Sequence, residues 1–159
     1  MCRQTPVPHD ALTPDILVAL LRCPSPALAI GICSFNSTVG VSFGAYNVFN
    51  TSPTDATGSI TYTCITLGGG VTIDLSRGSA SSYVPRQMQK GTEALAYNLY
   101  LDASHSLIWG DGTGGTSHYG PVSPPLISPV TVTVYGRIPA RQNVSAGAYT
   151  DTIIATINF

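Results

Sequence analysis

Charge is what this chain has least of. Asp, Glu, Lys and Arg together make up 9% of its 159 residues, against roughly 25% in an ordinary soluble domain. Lys90 is the only lysine and Glu93 the only glutamate. A formal net charge of −1 leaves no cluster of cations for nucleic acid or an anionic membrane, so neither is an expected partner. Long apolar runs are also missing. The longest, Ile16 to Leu21, is far short of the ~20 residues that cross a bilayer, so no stable span is expected. Helical periodicity is nearly absent beyond Cys33, and no stretch alternates helix with strand.

Metal and catalytic patterns are lacking too. No CxxC occurs, and His9, His105 and His118 are scattered without ligand spacing, so no metal or other cofactor is expected. No Gly-x-Ser-x-Gly elbow supports a hydrolase. Trp109-Gly-Asp-Gly-Thr-Gly-Gly115 looks motif-like, but Asp111 has neither the second carboxylate of a protease dyad nor the acidic companions of a calcium loop. The expectation there is a buried Trp109 and a tight Asp111-Gly112 turn. Gly68-Gly-Gly70 is followed by no Lys-Ser/Thr, so it reads as a turn rather than a phosphate cradle. The expectation is a non-catalytic protein.

What is present is alternation. Val39, Val41 and Phe43, then Ile60, Tyr62 and Cys64, then Val71, Ile73 and Leu75, alternate with small or polar residues. So do Leu95 to Leu101 and Val130 to Val134, and Leu107 to Trp109 makes a shorter segment. The last alternating run is terminal: Tyr149, Ile153, Ala155, Ile157 and Phe159 share one face, and Thr150, Thr152, Thr156 and Asn158 the other, with Asp151 and Ile154 as exceptions. About seven short strands separated by turn signals predict an all-β, immunoglobulin-like antiparallel β-sandwich. Tyr46 to Gly58 and Gly110 to Pro129, rich in turn residues, are expected to be surface connections. A strand that lies at an edge with one apolar face invites another chain to pair with it.

Residues 1–29 read as a leader. Ile16 to Leu21 followed by Ala27-Leu-Ala29 resembles a secretory signal cleaved after Ala29, although Asp10, Asp15 and Arg22 are unusual for one. A short buried helix or a disordered leader is the alternative. Removal of 1–29 would take Cys2 and Cys23 and leave Cys33 and Cys64, an even pair that suggests one disulfide in an exported domain. It would close a loop of about 30 residues, worth roughly 3 to 4 kcal/mol in the chain-entropy account.

Seven motifs occur in order: Cys33, Val41-Ser-Phe-Gly-Ala-Tyr46, Gly58-Ser-Ile-Thr-Tyr-Thr-Cys64, Tyr97-Asn-Leu-Tyr100, Trp109-Gly-Asp-Gly112, Val134-Tyr-Gly-Arg-Ile-Pro139 and Gly147-Ala-Tyr-Thr-Asp151. Together they resemble the spore coat protein U domain family, over about residues 31 to 159. The resemblance implies a domain at 30–159 of the archaic chaperone-usher class, secreted through the periplasm to a pilus, cell surface or spore coat. It implies an incomplete sandwich lacking its last strand, which a donor strand completes. The implied partners are a periplasmic chaperone, an outer-membrane usher and neighbouring subunits. Tyr149, Ile153, Ala155, Ile157 and Phe159 are the implied donor-strand and chaperone interface.

Cleavage after Ala29 would leave only Ile30-Gly31-Ile32 before Cys33, too little to donate in turn. A terminal subunit, a coat protein assembled otherwise, or an uncleaved leader donating Asp15 to Leu21 would each account for this. The competing reading is a surface adhesin or carbohydrate-binding module, with a loop site at Trp109, His118 and Tyr119.

Overall fold

A computed structural model describes residues 30–67 and 69–159; the leader and its cleavage site lie outside the described residues. Eight strands form: β1 (Ile30–Val39), β2 (Thr54–Leu67), β3 (Val71–Leu75), β4 (Arg86–Lys90), β5 (Glu93–Tyr100), β6 (Tyr119–Val122), β7 (Val130–Ile138) and β8 (Ala155–Asn158). A five-stranded sheet in the order β1-β2-β7-β5-β4 faces a three-stranded sheet in the order β6-β3-β8. Every named strand pair is antiparallel, so the expected all-β antiparallel sandwich is what forms.

The core follows from the alternation. Ile60, Tyr62 and Cys64 on β2, Val71, Ile73 and Leu75 on β3, and Leu95, Tyr97 and Leu99 on β5 all point inward and are buried. Trp109 fills the middle with no exposed surface, its Nε1–H donating to the Ile73 carbonyl oxygen at 2.8 Å. Asp111 makes the expected turn, its Oδ1 accepting from the Thr113 amide at 2.9 Å. Cys33 and Cys64 are disulfide-bonded across 31 residues of sequence. They are direct cross-strand partners on β1 and β2, so the bridge staples neighbours within one sheet rather than joining the two layers.

The fold departs from the pattern in three places. β4 and β6 form where no strand is predicted, β6 inside the expected Gly110 to Pro129 loop. Leu107 to Trp109, predicted as a short strand, contributes only the isolated bridges Tyr100↔Ile108 and Trp109↔Ser117, because the chain there turns back across the end of β5. Most telling, two predicted strands are missing their ladders. Gly40 to Tyr46 forms no strand, and Tyr149 to Ile154 is extended with a single bridge, Gln89↔Thr150, before β8 begins at Ala155. Both segments keep alternating burial: Val41 and Phe43 lie inward and Ser42 outward, and Tyr149, Asp151 and Ile153 lie inward with Thr150, Thr152 and Ile154 outward. They have the side-chain pattern of strands, but Gly40 to Tyr46 has no backbone partner and Tyr149 to Ile154 is bonded only at Thr150, to Gln89, and at Ile154, to Ser76.

Candidate functional site: an open groove between unpaired segments

Two contiguous cavities run between these segments. One, of about 540 Å³, has Thr38 to Val41 and Phe43 on one rim and Tyr149 to Asp151, Ile153 and Ala155 on the other. Its floor is core: Phe35, Ile60, Leu75, Tyr97, Leu99 and Val134. The second, of about 710 Å³, continues between Val41 to Val48 and Val144 to Tyr149 over Leu95 and Ile138. Val41, Phe43, Met88 and Tyr149 line both. The result is a long groove whose floor is the apolar interior itself, bordered by chain with backbone donors and acceptors to spare.

Glycine makes one rim possible. Gly136 on β7 and Gly58 on β2 are the points where the chain after Val39 crosses the inner face of the large sheet. A Cβ on Gly136 would sit 2.6 Å from Val41 Cγ1 and 2.8 Å from Phe43 Cζ, and one on Gly58 would strike the Val39 carbonyl oxygen. Phe43, so seated, packs edge-on against Tyr97 with centroids 6.0 Å apart. Tyr46 fixes the far end, donating to the Pro139 carbonyl oxygen at 2.9 Å and accepting from the Gln142 amide at 2.8 Å.

The other rim is held by polar anchors. Asp151, an exception to the apolar face in sequence, turns inward and accepts from Tyr97 OH at 2.7 Å, Ser79 Oγ at 2.7 Å and the Ser79 amide at 2.8 Å. Burial, with the Asp151 bond behind it, pushes the Tyr97 phenol well above its usual range, which keeps it a neutral donor. A carboxylate so fully engaged is an anchor for the rim. At the far end the sole lysine and the sole glutamate meet. Lys90 Nζ donates to Ser145 Oγ at 2.5 Å and to the Ala146 carbonyl oxygen at 2.7 Å. Glu93 Oε2 accepts from Ser145 Oγ at 2.5 Å and Tyr149 OH at 2.6 Å. Both residues sit at the turn between β4 and β5, so this hairpin clamps Ser145 to Tyr149, the wall of the groove's open end.

The bonds from Ser145 first, then Tyr149, with Lys90 nearby, hold the Glu93 carboxyl down at about 2. A depressed carboxyl pKa adds stability that is complete above its unfolded value, near 4.3, and is lost as pH falls toward about 2. Between about pH 5 and pH 2 the native chain is therefore expected to lose more stability than Glu93→Gln. Denaturant midpoints across that window check this. Parallel curves for the two proteins would show that the clamp does not hold the wall.

The predicted site residues separate. Tyr149, Ile153 and Ala155 line the groove together. Ile157 packs against the core further along β8. Phe159 is 53% exposed and lines neither cavity, because it lies past the last paired residue, Asn158. Of the loop residues, Trp109 is wholly buried and so offers no ligand an aromatic face. Tyr119 lies 6.1 Å from Trp109 and bonds Tyr62 OH at 3.4 Å, as packing beneath β6. His118 sits 3.6 Å from Asp74. His105 stands on the outer face of the large sheet, 5.1 Å from the Tyr100 ring. Among the described residues no cluster of His, Cys, Asp and Glu could hold a metal, and no helix is long and apolar enough to cross a membrane. Sequence pattern does not mark the Lys90–Glu93 clamp or the Val41–Phe43 rim as site residues; the rarity of Lys and Glu is the one signal that points to the clamp.

The family model of the Spore Coat Protein U domain matches residues 24–156. The chain belongs to the spore coat protein U family. The match starts inside the segment whose sequence reads as a leader. The chain is 36% identical over 147 residues to Protein U of Myxococcus xanthus, across 81% of this chain and 78% of that protein. Among solved structures it is similar to the CsuC–CsuE chaperone–tip adhesion subunit pre-assembly complex from the archaic chaperone-usher Csu pili of Acinetobacter baumannii. That likeness has a TM-score of 0.51 at 18% identity and covers 82% of this chain but 40% of the other, so the chain spans well under half of that protein's length. At such identity the likeness speaks to the immunoglobulin-like fold.

Proposed function

We propose that the chain is a non-catalytic structural subunit whose groove receives a β-strand from another polypeptide, and that it is built into a surface pilus or spore coat in this way. The observation carrying this reading is a pair of strand-patterned segments that flank an apolar floor, Gly40 to Tyr46 with no ladder partner and Tyr149 to Ile154 with backbone bonds only from Thr150 to Gln89 and from Ile154 to Ser76. An added strand supplies main-chain hydrogen bonds, and its alternate side chains fill the groove. Ile153 and Ala155 receive those side chains, Tyr149 guards the open end, and Ile157 extends the accepting strand. A periplasmic chaperone would cover the apolar floor first, an outer-membrane usher would pass the subunit on, and a neighbouring subunit would supply the final strand. The fold neighbour, a tip subunit described in complex with its chaperone, supports that sequence of partners. An exported protein stapled by one disulfide fits the oxidising route.

The test is capture of a labelled peptide of about ten residues with aliphatic side chains at alternate positions, enough to span a typical strand. The native chain is expected to bind it, and Ile153→Asp to bind at least about tenfold more weakly, since a charge would be buried in the groove. Equal capture by the two proteins would remove the case for strand insertion.

A further inference from the structure

The outer face of the large sheet carries hydroxyls where a solvated sheet ordinarily carries charge. On β2 every outward residue between Asp55 and Ile65 is Ser or Thr: Thr57, Ser59, Thr61 and Thr63. On β7 the outward residues before Arg137 are Thr131, Thr133 and Tyr135. The register sets them in rows, since direct cross-strand partners share a face. Thr61 stands between Ser37 of β1 and Thr131, Ser59 between Val39 and Thr133, and Tyr135 between Thr57 and Tyr100 of β5. Val39 is the one aliphatic member of these rows. Neighbours are about 4.8 Å apart across strands and about 6.6 Å apart along them. The Thr61 and Thr131 hydroxyls are hydrogen-bonded at 2.9 Å and exposed. Asp55 and Arg137, paired at 2.7 Å, end the rows and neutralise one another.

A recess of about 370 Å³ opens at the edge of this face, lined by Thr131, Thr133 and Tyr135 of β7 together with Leu101, His118 and Tyr119. The β5–β7 ladder covers only Tyr135 to Arg137 of β7, so the strand edge beside Thr131 and Thr133 is left open. The recess shares no lining residue with the groove. Next to it Asp74 Oδ1 is buried without a hydrogen-bond partner, 3.6 Å from His118 Nδ1. Closing that gap to hydrogen-bond length as a ligand seats against His118 would satisfy the oxygen.

We propose that the recess and the rows beside it bind a neutral polysaccharide, with one sugar unit in the recess and its neighbours lying along the rows. The chemistry selects this class of ligand. A hydroxyl covered without a partner costs about 1 to 3 kcal/mol, whereas each Ser or Thr hydroxyl can both donate and accept. A polyhydroxylated chain answers such a surface group by group. A second protein does not, because protein interfaces are built around an apolar, close-packed centre, and Val39 alone does not make one. A charged polymer finds no free counter-charge on the rows. Tyr135 and Leu101 offer apolar surface to the C–H face of a sugar ring. The inference stands apart from strand donation.

Co-sedimentation of the full chain with cellulose, chitin and insoluble starch tests this. The native chain is expected to be retained by at least one of them. Raising the salt tenfold, which shortens the screening length about threefold, is expected to leave retention unchanged. Thr131→Val with Thr133→Val keeps the branched side chains that suit a strand and removes only hydroxyls. It is expected to bind at least about tenfold more weakly, with a melting temperature within about 2 °C of the native value. Thr156→Val, the same change at an exposed position on the three-stranded sheet, is expected to bind as the native chain does. No retention by any of the three, retention that collapses with salt, or equal retention by the double variant overturns the proposal. So does a double variant that keeps its retention but loses self-association in sedimentation velocity, which would give the face to a second copy of the chain.

Discussion

A strand appended in cis, joined after Phe159 through an Asn-Gly turn and carrying aliphatic side chains at alternate positions, is expected to raise the melting temperature by about 15 °C. β8 runs toward the pole where such a turn would sit, so the appended strand would return antiparallel along β8 and between the two rims. Each aliphatic side chain moved from water onto the floor of Ile60, Leu75, Leu99 and Val134 gains about 1.5 to 3 kcal/mol. Four of them, together with ladder bonds to both rims and less the entropy of ordering the strand, leave a net gain of about 5 kcal/mol. At roughly 3 °C per kcal/mol for a domain of this size, that gives the stated shift. The same appendage with Asp at the inward positions is expected to give no stabilisation. A shift of only a degree or two from the aliphatic version would mean that the groove does not accept a strand.

The second large effect lies beneath the groove. Arg86 on β4 has no exposed surface, and among the described residues no carboxylate binds it directly. Its Nε–H donates to the Ser76 carbonyl oxygen at 3.0 Å, Nη1 to Asn98 Oδ1 at 2.9 Å and Nη2 to the Trp109 carbonyl oxygen at 2.6 Å. The guanidinium lies 5.1 Å from the Tyr83 ring centroid, and Asn98 in turn donates to the Tyr83 carbonyl oxygen at 2.9 Å. Burial lowers the arginine pKa, yet the cation persists because its donors satisfy three carbonyl-type acceptors. Arg86→Met leaves those acceptors buried without partners, at about 1 to 3 kcal/mol each. Partial relaxation and the added apolar contact offset some of this, so a loss of about 4 kcal/mol is expected. Arg86→Lys is expected to recover only a fraction, since an ammonium cannot reproduce the planar fork. Urea denaturation measures both, and a cost under about 1 kcal/mol for Arg86→Met would contradict the role given to Arg86.

The same arginine explains why part of the fold is hidden in the sequence. β4 reads Arg-Gln-Met-Gln-Lys, and alternation cannot reveal a strand whose inward residue is a cation. β6, Tyr-Gly-Pro-Val, is a short edge strand, the one setting in which a ladder tolerates Gly and Pro. The inner strands are legible because burial on one face and solvent on the other leave the period of two that β2, β3, β5 and β7 carry. The bridge is legible because only Cys33 and Cys64 fall in the expected domain. At the groove, alternation correctly marks Gly40 to Phe43 and Tyr149 to Ile153 as strand-like, while hydrogen bonding does not make them strands. Pattern records the side chains a segment offers, and a ladder needs a second strand. Phe159 falls outside the groove, contrary to its place in the alternation, because the pairing ends one residue before it.

Amide hydrogen exchange of residues 40–46 and 149–157, with and without the appended strand, tests most directly whether these segments are strands awaiting a partner. Fast exchange in the native chain at residues 40–46 and at the amides of Tyr149, Asp151 and Ile153, in contrast to those of Thr150 and Ile154, which already donate to Gln89 and Ser76, and slow exchange at both rims once the strand is present, is the expected result. Slow exchange in both segments of the native monomer, or no change when the strand is added, would contradict it.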